Sequence, residues 1–441
     1  MGDRRLLLIA MSGVRIYDDE LRELGMTLPG FIERGEVIAS LPSLGLLTIA
    51  GATPEGWEIV YREIDSMNEE QVSILADEGW DLVGVSSLTA RIYDAYRVLK
   101  VFRERGIPTV IGGLHASVLP EEAAQHADAV VLGEGEFVWG RVIQDCVEGR
   151  LHGIYDAKFS KVGLEETPLP RWDLLEIERY NRFPLQTTRG CPLDCSFCGA
   201  SRLISQYKRK PISRIREELE SILSLWPEAF IELADDNTFV NKKWGIELAT
   251  LMAEYPEIRW FTESDISVAD NEELLGTLSE SGCAQVLIGL ESVSSTALTE
   301  TDSGGWKSKQ MERYLDRISV IQESGISVNG CFAFGFDDDD NGVFERTGDW
   351  IEASGLSEVQ LTLLTPFPGT ALFDKLRSED RLLAETFWDQ CTLFDVVFEP
   401  KQMTATELRL GFRDLVERIY STEASANRKA RRLSLYRNRK R

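Results

Sequence analysis

From residue 5 to residue 148, short apolar runs alternate with stretches of helical period, and that alternation most constrains what this chain can fold into. The first run, residues 5–10, is apolar almost throughout rather than alternating, which fits a strand buried on both faces of a parallel sheet. Strands are expected at 57–64, 82–86, 108–111 and 129–132 from their Val, Ile and Tyr content. Helices are expected between them, at 43–52, 68–78, 90–105, 120–126 and 136–148. Five strands joined by helices cannot close an antiparallel sheet. They predict a doubly wound parallel sheet covered on both sides.

A second series of the same kind begins at Pro184. Strands are expected at 185–188, 230–233, 260–263, 285–289, 328–334 and 359–364, with helices at 212–225 and 271–281 among the connections. Six such units are too few for a closed eight-fold barrel and suit an open, partial one. A chain of 441 residues exceeds what one core holds, so more than one domain is expected in any case. The division read here is 1–150 for a Rossmann- or flavodoxin-like domain, 151–183 for a linker carrying Pro168, Pro170 and Trp172, 184–371 for the partial barrel, and 372–441 for a helical region.

The formal net charge of −25 argues against a nucleic-acid-binding body, because phosphates would be repelled. The exception is the segment from Arg428 to Arg441, where Arg and Lys crowd around Leu433, Leu435 and Tyr436. It reads either as a solvated terminal helix or as a contact for an anionic membrane surface or partner. No run of about eighteen apolar residues is present, so no segment is expected to span a membrane. Residues 6–10 read as a first buried strand rather than a leader peptide, which points to the cytoplasm. Four of the seven cysteines (Cys146, Cys283, Cys331, Cys391) are scattered in apolar surroundings and read as buried thiols.

The other three carry the chemistry. Thr188-Arg189-Gly190-Cys191-Pro192-Leu193-Asp194-Cys195-Ser196-Phe197-Cys198-Gly199 brings three thiolates together with three and then two residues between them. Three thiolates can hold three irons of a [4Fe–4S] cube and leave the fourth open, and an open metal position is what catalysis needs. No His or fourth Cys lies nearby to complete a structural zinc site. The segment follows the first strand of the second series, at the end of the sheet where barrel enzymes place their chemistry.

This Cys-x-x-x-Cys-x-x-Cys segment, with Phe197 before the last Cys, resembles the radical SAM superfamily. The resemblance implies that the open iron chelates S-adenosylmethionine (SAM) and that one electron cleaves it to a 5′-deoxyadenosyl radical. It implies SAM contacts at Phe197, at Asp235, Asp236 and Asn237 after the second strand, at Ser264 after the third, at Glu291 after the fourth and at Gly335 after the fifth. The Glu232-Leu233-Ala234-Asp235-Asp236-Asn237 segment departs from the family's Gly-Gly-Glu, yet its side-chain oxygens can still accept bonds from an ammonium.

The N-terminal domain resembles the cobalamin-binding domain of one large subgroup of that superfamily. The matching pieces are Ser86-Ser87-Leu88, Gly112-Gly113 with His115, and Gly133-Glu134-Gly135, each after a strand. Glycines there allow close approach of a bulky ligand. The subgroup's full signature has an Asp-x-His-x-x-Gly loop whose His ligates cobalt. The loop here, residues 11–18, has no His, so cobalamin with a different or absent lower ligand and a domain that binds nothing both stay open. His115 reads either as lining the nucleotide-tail pocket or as a structural hydrogen-bonder. Pro366-Phe367-Pro368-Gly369-Thr370 is typical of the subgroup, and the resemblance covers about residues 1–420.

The expected function is methylation of an unactivated carbon of a small-molecule or lipid-like substrate, with a [4Fe–4S] cluster, SAM and cobalamin as cofactors. An external electron donor such as flavodoxin or ferredoxin is implied. A radical cyclisation, rearrangement or oxidation without cobalamin is the alternative within the enzymes. A corrinoid- or redox-sensing protein is the alternative outside them, though a sensor needs no SAM pocket. Phe332, Phe334, Phe336 and Phe367 read either as core or as lining for a hydrophobic substrate. No single catalytic side chain is named by the sequence.

Overall fold

The computed structural model describes residues 4–23, 41–299, 301 and 304–439. The last two residues of the expected basic tail, Lys440 and Arg441, lie outside the described residues. Two compact units are present. One takes in described residues of 4–14, 41–190 and 199–227, and the other those of 15–23, 191–198 and 228–439.

The first unit is built on six parallel strands: β1 (Arg4–Met11), β2 (Trp57–Ile64), β3 (Leu82–Ser87), β4 (Thr109–Gly112), β5 (Ala129–Gly133) and β6 (Gly153–Ala157). Their order is β2-β1-β3-β4-β5-β6. Leu6, Leu7, Leu8 and Ile9 are fully buried, as a continuous apolar run in a strand covered on both faces requires. The helix Ile92–Arg103 buries Ile92, Ala95, Tyr96, Val98, Leu99 and Phe102, the single stripe that its three-and-four spacing dictates. Asn68 starts the helix Glu69–Ala76 by accepting from the Gln71 N–H. The chain reverses direction between β1 and β3, and ligands of such sheets bind outside the strand C-termini at that reversal.

One sequence expectation needs correcting. Residues 151–183 were expected to be a linker without periodicity, but β6 extends the sheet to six strands. It is five residues long, and Ile154 faces outward at 45% exposure while Tyr155 is buried. An edge strand so short shows neither an apolar run nor a clear alternation. Beyond it come β7 (Phe183–Leu185) and a two-stranded antiparallel hairpin, β8 (Thr188–Arg189) and β9 (Lys208–Arg209), whose strands bracket the cysteine segment in sequence.

The second unit carries β10 (Phe230–Leu233), β11 (Arg259–Ser264), β12 (Cys283–Glu291), β13 (Ser327–Phe334) and β14 (Glu358–Leu363), side by side in chain order and all parallel. That sequential order is the wall of an open barrel. Burial alternates along β12 and β14, so one face packs fully and the other stays partly open. The packed face decides between the two readings for Phe332 and Phe334. Phe332 packs edge-on against Trp350, and Phe334 lies between Phe344 and Phe412. Both are core, each 1% exposed. The helix Ala405–Ile419 opens with a capping box of Thr404 and Glu407.

The terminal helix Thr422–Arg439 is not solvated all round. The Tyr436 hydroxyl donates to the Ala284 carbonyl and Arg431 donates to that of Leu356, while Arg432 pairs with Glu358. These partners sit at the N-terminal ends of β12 and β14, away from the strand ends that carry the cysteine segment's neighbours. Among the described residues no helix is long and apolar enough to cross a membrane.

Candidate active site

The cysteine segment meets three strand ends of the second unit. Cys191 accepts hydrogen bonds from the Leu193 N–H and the Asn237 side chain, while the Asp236 and Asp265 carboxylates lie near enough to act on it. Burial and those two charges push the Cys191 thiol up, and the two donors pull it back. Asn237 is fixed in turn, donating to Asp265 at 3.0 Å. The end of β10 is thereby joined to Cys191.

The middle of the segment is bonded to stretches of chain that follow β12 and β14. The Ser196 N–H donates to the Thr301 carbonyl at 2.8 Å, and the Ser196 carbonyl accepts from the Leu372 N–H at 2.8 Å. Cys195 is buried and lies within electrostatic reach of the Lys307 ammonium. Lys307 forms an ion pair with Glu291 at 2.6 Å. The Cys198 N–H closes a turn onto the Cys195 carbonyl at 3.1 Å.

The last part of the segment meets the end of β13. Phe197 packs edge-on against Phe336 with ring centroids 6.0 Å apart. Beside them is a cavity of about 410 Å³ lined by Ser196, Phe197, Gly335, Phe336, Leu372 and Phe398. Gly335 sits at φ +105°, and a Cβ there would meet the Phe398 ring at 2.9 Å. Its N–H and that of Phe336 both donate to Asp339, at 2.9 and 3.0 Å. Burial raises the Asp339 carboxyl to about 6, and the two N–H groups oppose that rise.

The expected SAM contacts therefore divide. Asn237 and Asp236 lie at Cys191, and Phe197 and Gly335 share a cavity. Asp235 is buried and accepts from the Thr238 hydroxyl, and the Ser264 hydroxyl turns to the neighbouring Asp265 carbonyl. Glu291 is engaged by Lys307. One carboxylate, Asp265, escaped sequence reasoning, whereas Glu263 belongs to the Thr262-Glu263-Ser264 strand end expected to offer polar contacts. Asp265 is the partner of Asn237. Glu263, on the open face of β11, is pushed up to about 8 by its crowded surroundings and by Asp236, Glu232, Asp235 and Glu291. Lys307 was missed as well, since nothing local marks one lysine of a polar helix.

Among the described residues no three His, Cys, Asp or Glu side chains converge as ligands of a single metal ion do. Thiolates that each take a different iron of a cube need not converge on one point. Three thiols on one loop, two hydrogen bonds onto one sulfur and a nearby ammonium are a donor set and surroundings that fit such a cube.

In the first unit the expected corrinoid contacts gather at the C-terminal edge of the sheet. Gly113 has φ +100°, and a Cβ there would lie 3.2 Å from the Ser86 hydroxyl and from the Ser87 carbonyl. Ser117 ties two loops together, its hydroxyl donating to the Gly113 carbonyl and accepting from the Gly133 N–H. At Gly133 a Cβ would sit 2.7 Å from the Lys158 backbone. Leu88 stands 54% exposed beside this edge. Glycine is what allows these loops to close so tightly on one another.

Two expected contacts are occupied within the protein. His115 is fully buried, with Nδ1 3.3 Å from the Thr89 hydroxyl and Nε2 3.2 Å from Glu122. Glu134 is 2% exposed and pairs with Lys208 at 2.6 Å and Arg189 at 2.9 Å, while Glu136 also takes Arg189 at 2.7 Å. Its partners lie on the β8–β9 hairpin. His126 and His152 line a separate cavity of about 800 Å³ at the N-terminal ends of β4, β5 and β6.

Known protein families match the chain in three stretches. Residues 34–139 match the B12 binding domain, residues 185–351 the radical SAM superfamily, and residues 370–441 a domain of unknown function, DUF4070. The bacteriochlorophyllide d C-12(1)-methyltransferase of Chlorobaculum tepidum is 28% identical over 79% of this chain and 77% of its own. An uncharacterized methyltransferase of Synechocystis sp. is 30% identical over 78% of this chain and 65% of its own. In fold, the chain is similar to the radical SAM methyltransferase TsrM of Kitasatospora setae, solved with cobalamin and a [4Fe–4S] cluster. The TM-score is 0.67 at 14% identity, covering 96% of this chain and 82% of that one.

Proposed function

Because this chain belongs to the radical SAM enzymes that carry a B12 binding domain, we propose that it methylates an unactivated carbon of a small-molecule substrate. In this reading Cys191, Cys195 and Cys198 hold a [4Fe–4S] cluster, residues 184–371 hold SAM, and the glycine-rich edge of residues 1–150 holds cobalamin. When bound, these groups supply one-electron cleavage, hydrogen abstraction and a transferable methyl group. The observation that carries the reading is the junction of the cysteine segment with three strand ends.

The protein's own residues then orient and shield. The Asn237 and Leu193 donors steady the Cys191 sulfur in its charged form. Asp236 and Glu263 offer acceptors for an ammonium. Phe197 and Phe336 keep water from one side of the cysteine segment. Gly113 and Gly133 let the loops of that edge pack against Ser86, Ser87 and Lys158. The 11–18 loop carries no histidine, so a corrinoid held by this edge would take no imidazole ligand from that loop. The reaction runs in a reducing cytoplasm with an external donor of the flavodoxin or ferredoxin class. The exposed Lys429 and Leu433 of the terminal helix offer a contact for an anionic surface.

The test is anaerobic purification of the full chain with cobalamin supplied. A bound corrinoid should appear in the absorption spectrum, and its cob(II)alamin signal should lack the hyperfine splitting of an imidazole nitrogen. A chain that binds no corrinoid under these conditions overturns the methyl-transfer reading and leaves the cobalamin-independent radical reaction. A nitrogen-split signal refutes the missing lower histidine.

A further inference from the structure

At the end of β12 the backbone adopts a conformation that L-residues avoid. Glu291 has φ +66°, and the pairing of β12 with β13 slips between Gly289 and Glu291. A non-glycine residue held there costs about 1–3 kcal/mol and persists only where its surroundings impose it. What they impose is a buried ion pair. The Lys307 ammonium donates to Glu291 Oε1 at 2.6 Å and to the Gly289 carbonyl at 3.0 Å. Both side chains are largely hidden, at 8% and 13% exposure. Gly289 is part of the device, since a Cβ there would fall 2.3 Å from Glu291 Oε1 and 3.2 Å from the ammonium.

Stability alone does not explain this arrangement. A buried ion pair recovers little of its desolvation cost, and an apolar pair of equal volume commonly serves the fold as well. The setting of the pair is informative. Burial would discharge Lys307, but Glu291, and after it Cys195, outweigh that effect, so the ammonium stays charged. The ammonium thus stands between the sheet, where it bonds to the Gly289 carbonyl, and the cysteine segment, whose Cys195 lies within its electrostatic reach. The Ser196 N–H, bonded to the Thr301 carbonyl, fixes the cysteine segment on the stretch of chain that leads to Lys307. At Cys191, by contrast, the charges are the carboxylates of Asp236 and Asp265.

We propose that Lys307, clamped by Glu291 across the β12 bulge, is a positioning residue that raises the reduction potential of the cluster held by the cysteine segment. The inference rests on the cluster assignment made above. The step concerned is the passage of one electron from an external flavodoxin- or ferredoxin-class donor to the cluster; no bond forms and no proton moves. The reduced cluster carries one more negative charge than the oxidised one. A fixed ammonium in a poorly solvated wall therefore stabilises the reduced form more. With carboxylates on the Cys191 side, the lysine offsets a field that otherwise opposes the electron.

The experiment is a potentiometric titration of the anaerobically reconstituted full chain, followed by electron paramagnetic resonance without SAM, after iron and sulfide have been counted. Lys307→Met should move the midpoint to more negative potential, and Lys307→Arg should restore it toward wild type. Glu291→Gln should move it the other way, because the ammonium loses its counter-charge. If Lys307→Met does not take up iron, the upward shift in Glu291→Gln carries the test. A wild-type midpoint in Lys307→Met, or in Glu291→Gln where only that variant loads, overturns the proposal. So does an unchanged midpoint with weakened SAM binding, which would make Lys307 a SAM contact instead. A wild-type chain that takes up no iron at all would overturn the cluster reading itself, a different failure.

Discussion

Glu134 sits in the Gly133-Glu134-Gly135 loop, where the family resemblance implies a ligand contact, yet its carboxylate is spent on the protein. It is 2% exposed and faces Lys208 and Arg189, themselves 11% and 12% exposed. Replacing it by Gln removes the charge and leaves Lys208 without its carboxylate. Breaking one partner of a buried pair costs about 3–5 kcal/mol. Glu136 still neutralises Arg189, so the lower end applies, about 3 kcal/mol. At about 2–4 °C per kcal/mol for a unit of this size, the first unit should unfold about 6–12 °C lower. The assay is anaerobic differential scanning calorimetry of the full chain, with the exposed Glu55→Gln as control. Because Arg189 and Lys208 lie on the hairpin that brackets the cysteine segment, iron retention should fall in the same variant. A Glu134→Gln midpoint equal to the control's, with corrinoid binding lost instead, would refute the structural role and return Glu134 to the ligand site.

Further outcomes follow from the two sites. Asp236→Ala should weaken SAM binding about tenfold by calorimetry while iron content stays whole, since an acceptor for a charged donor is lost; unchanged affinity would remove Asp236 from the site. Gly113→Trp should abolish corrinoid absorption without affecting the cluster, because a side chain there meets Ser86 and Ser87. Asp339, raised to about 6 from an ordinary value near 3.8, holds its proton in the folded state across that window while the unfolded chain has lost it. Stability from this group is therefore present below about pH 4 and lost as pH rises to 6, so Asp339→Asn should flatten the fall in denaturant midpoint over that range.

What the sequence disclosed was local. Residues 5–10 announce a doubly buried strand because burial on both faces leaves no alternation, and the cysteine spacing could be read as a candidate cluster loop because it lies within eight residues. The strand ends at Ser264, Glu291 and Phe334 were legible as places where apolar runs give way to polar loops. The strand at Gly153–Ala157 was not, because an edge strand with Ile154 outward carries no pattern of its own. Nor were the pairings that decide roles. Glu134 meets Arg189 and Lys208 across 55 and 74 residues. Glu291 meets Lys307 only because a bulge turns the end of β12. His115 could be read two ways until its ring was found buried between Thr89 and Glu122. Such pairings arise from tertiary packing, which neither period nor spacing encodes.

Cys191, Cys195 and Cys198 are proposed to carry a cluster that cleaves SAM. The most direct test is iron, sulfide and SAM-cleavage analysis of anaerobically reconstituted wild type beside the three single Cys→Ala variants and Cys146→Ala. Wild type and Cys146→Ala should each hold about four iron and four sulfide per chain, with cluster and cleavage both lost in the other three. SAM cleavage that persists in Cys195→Ala would contradict this assignment.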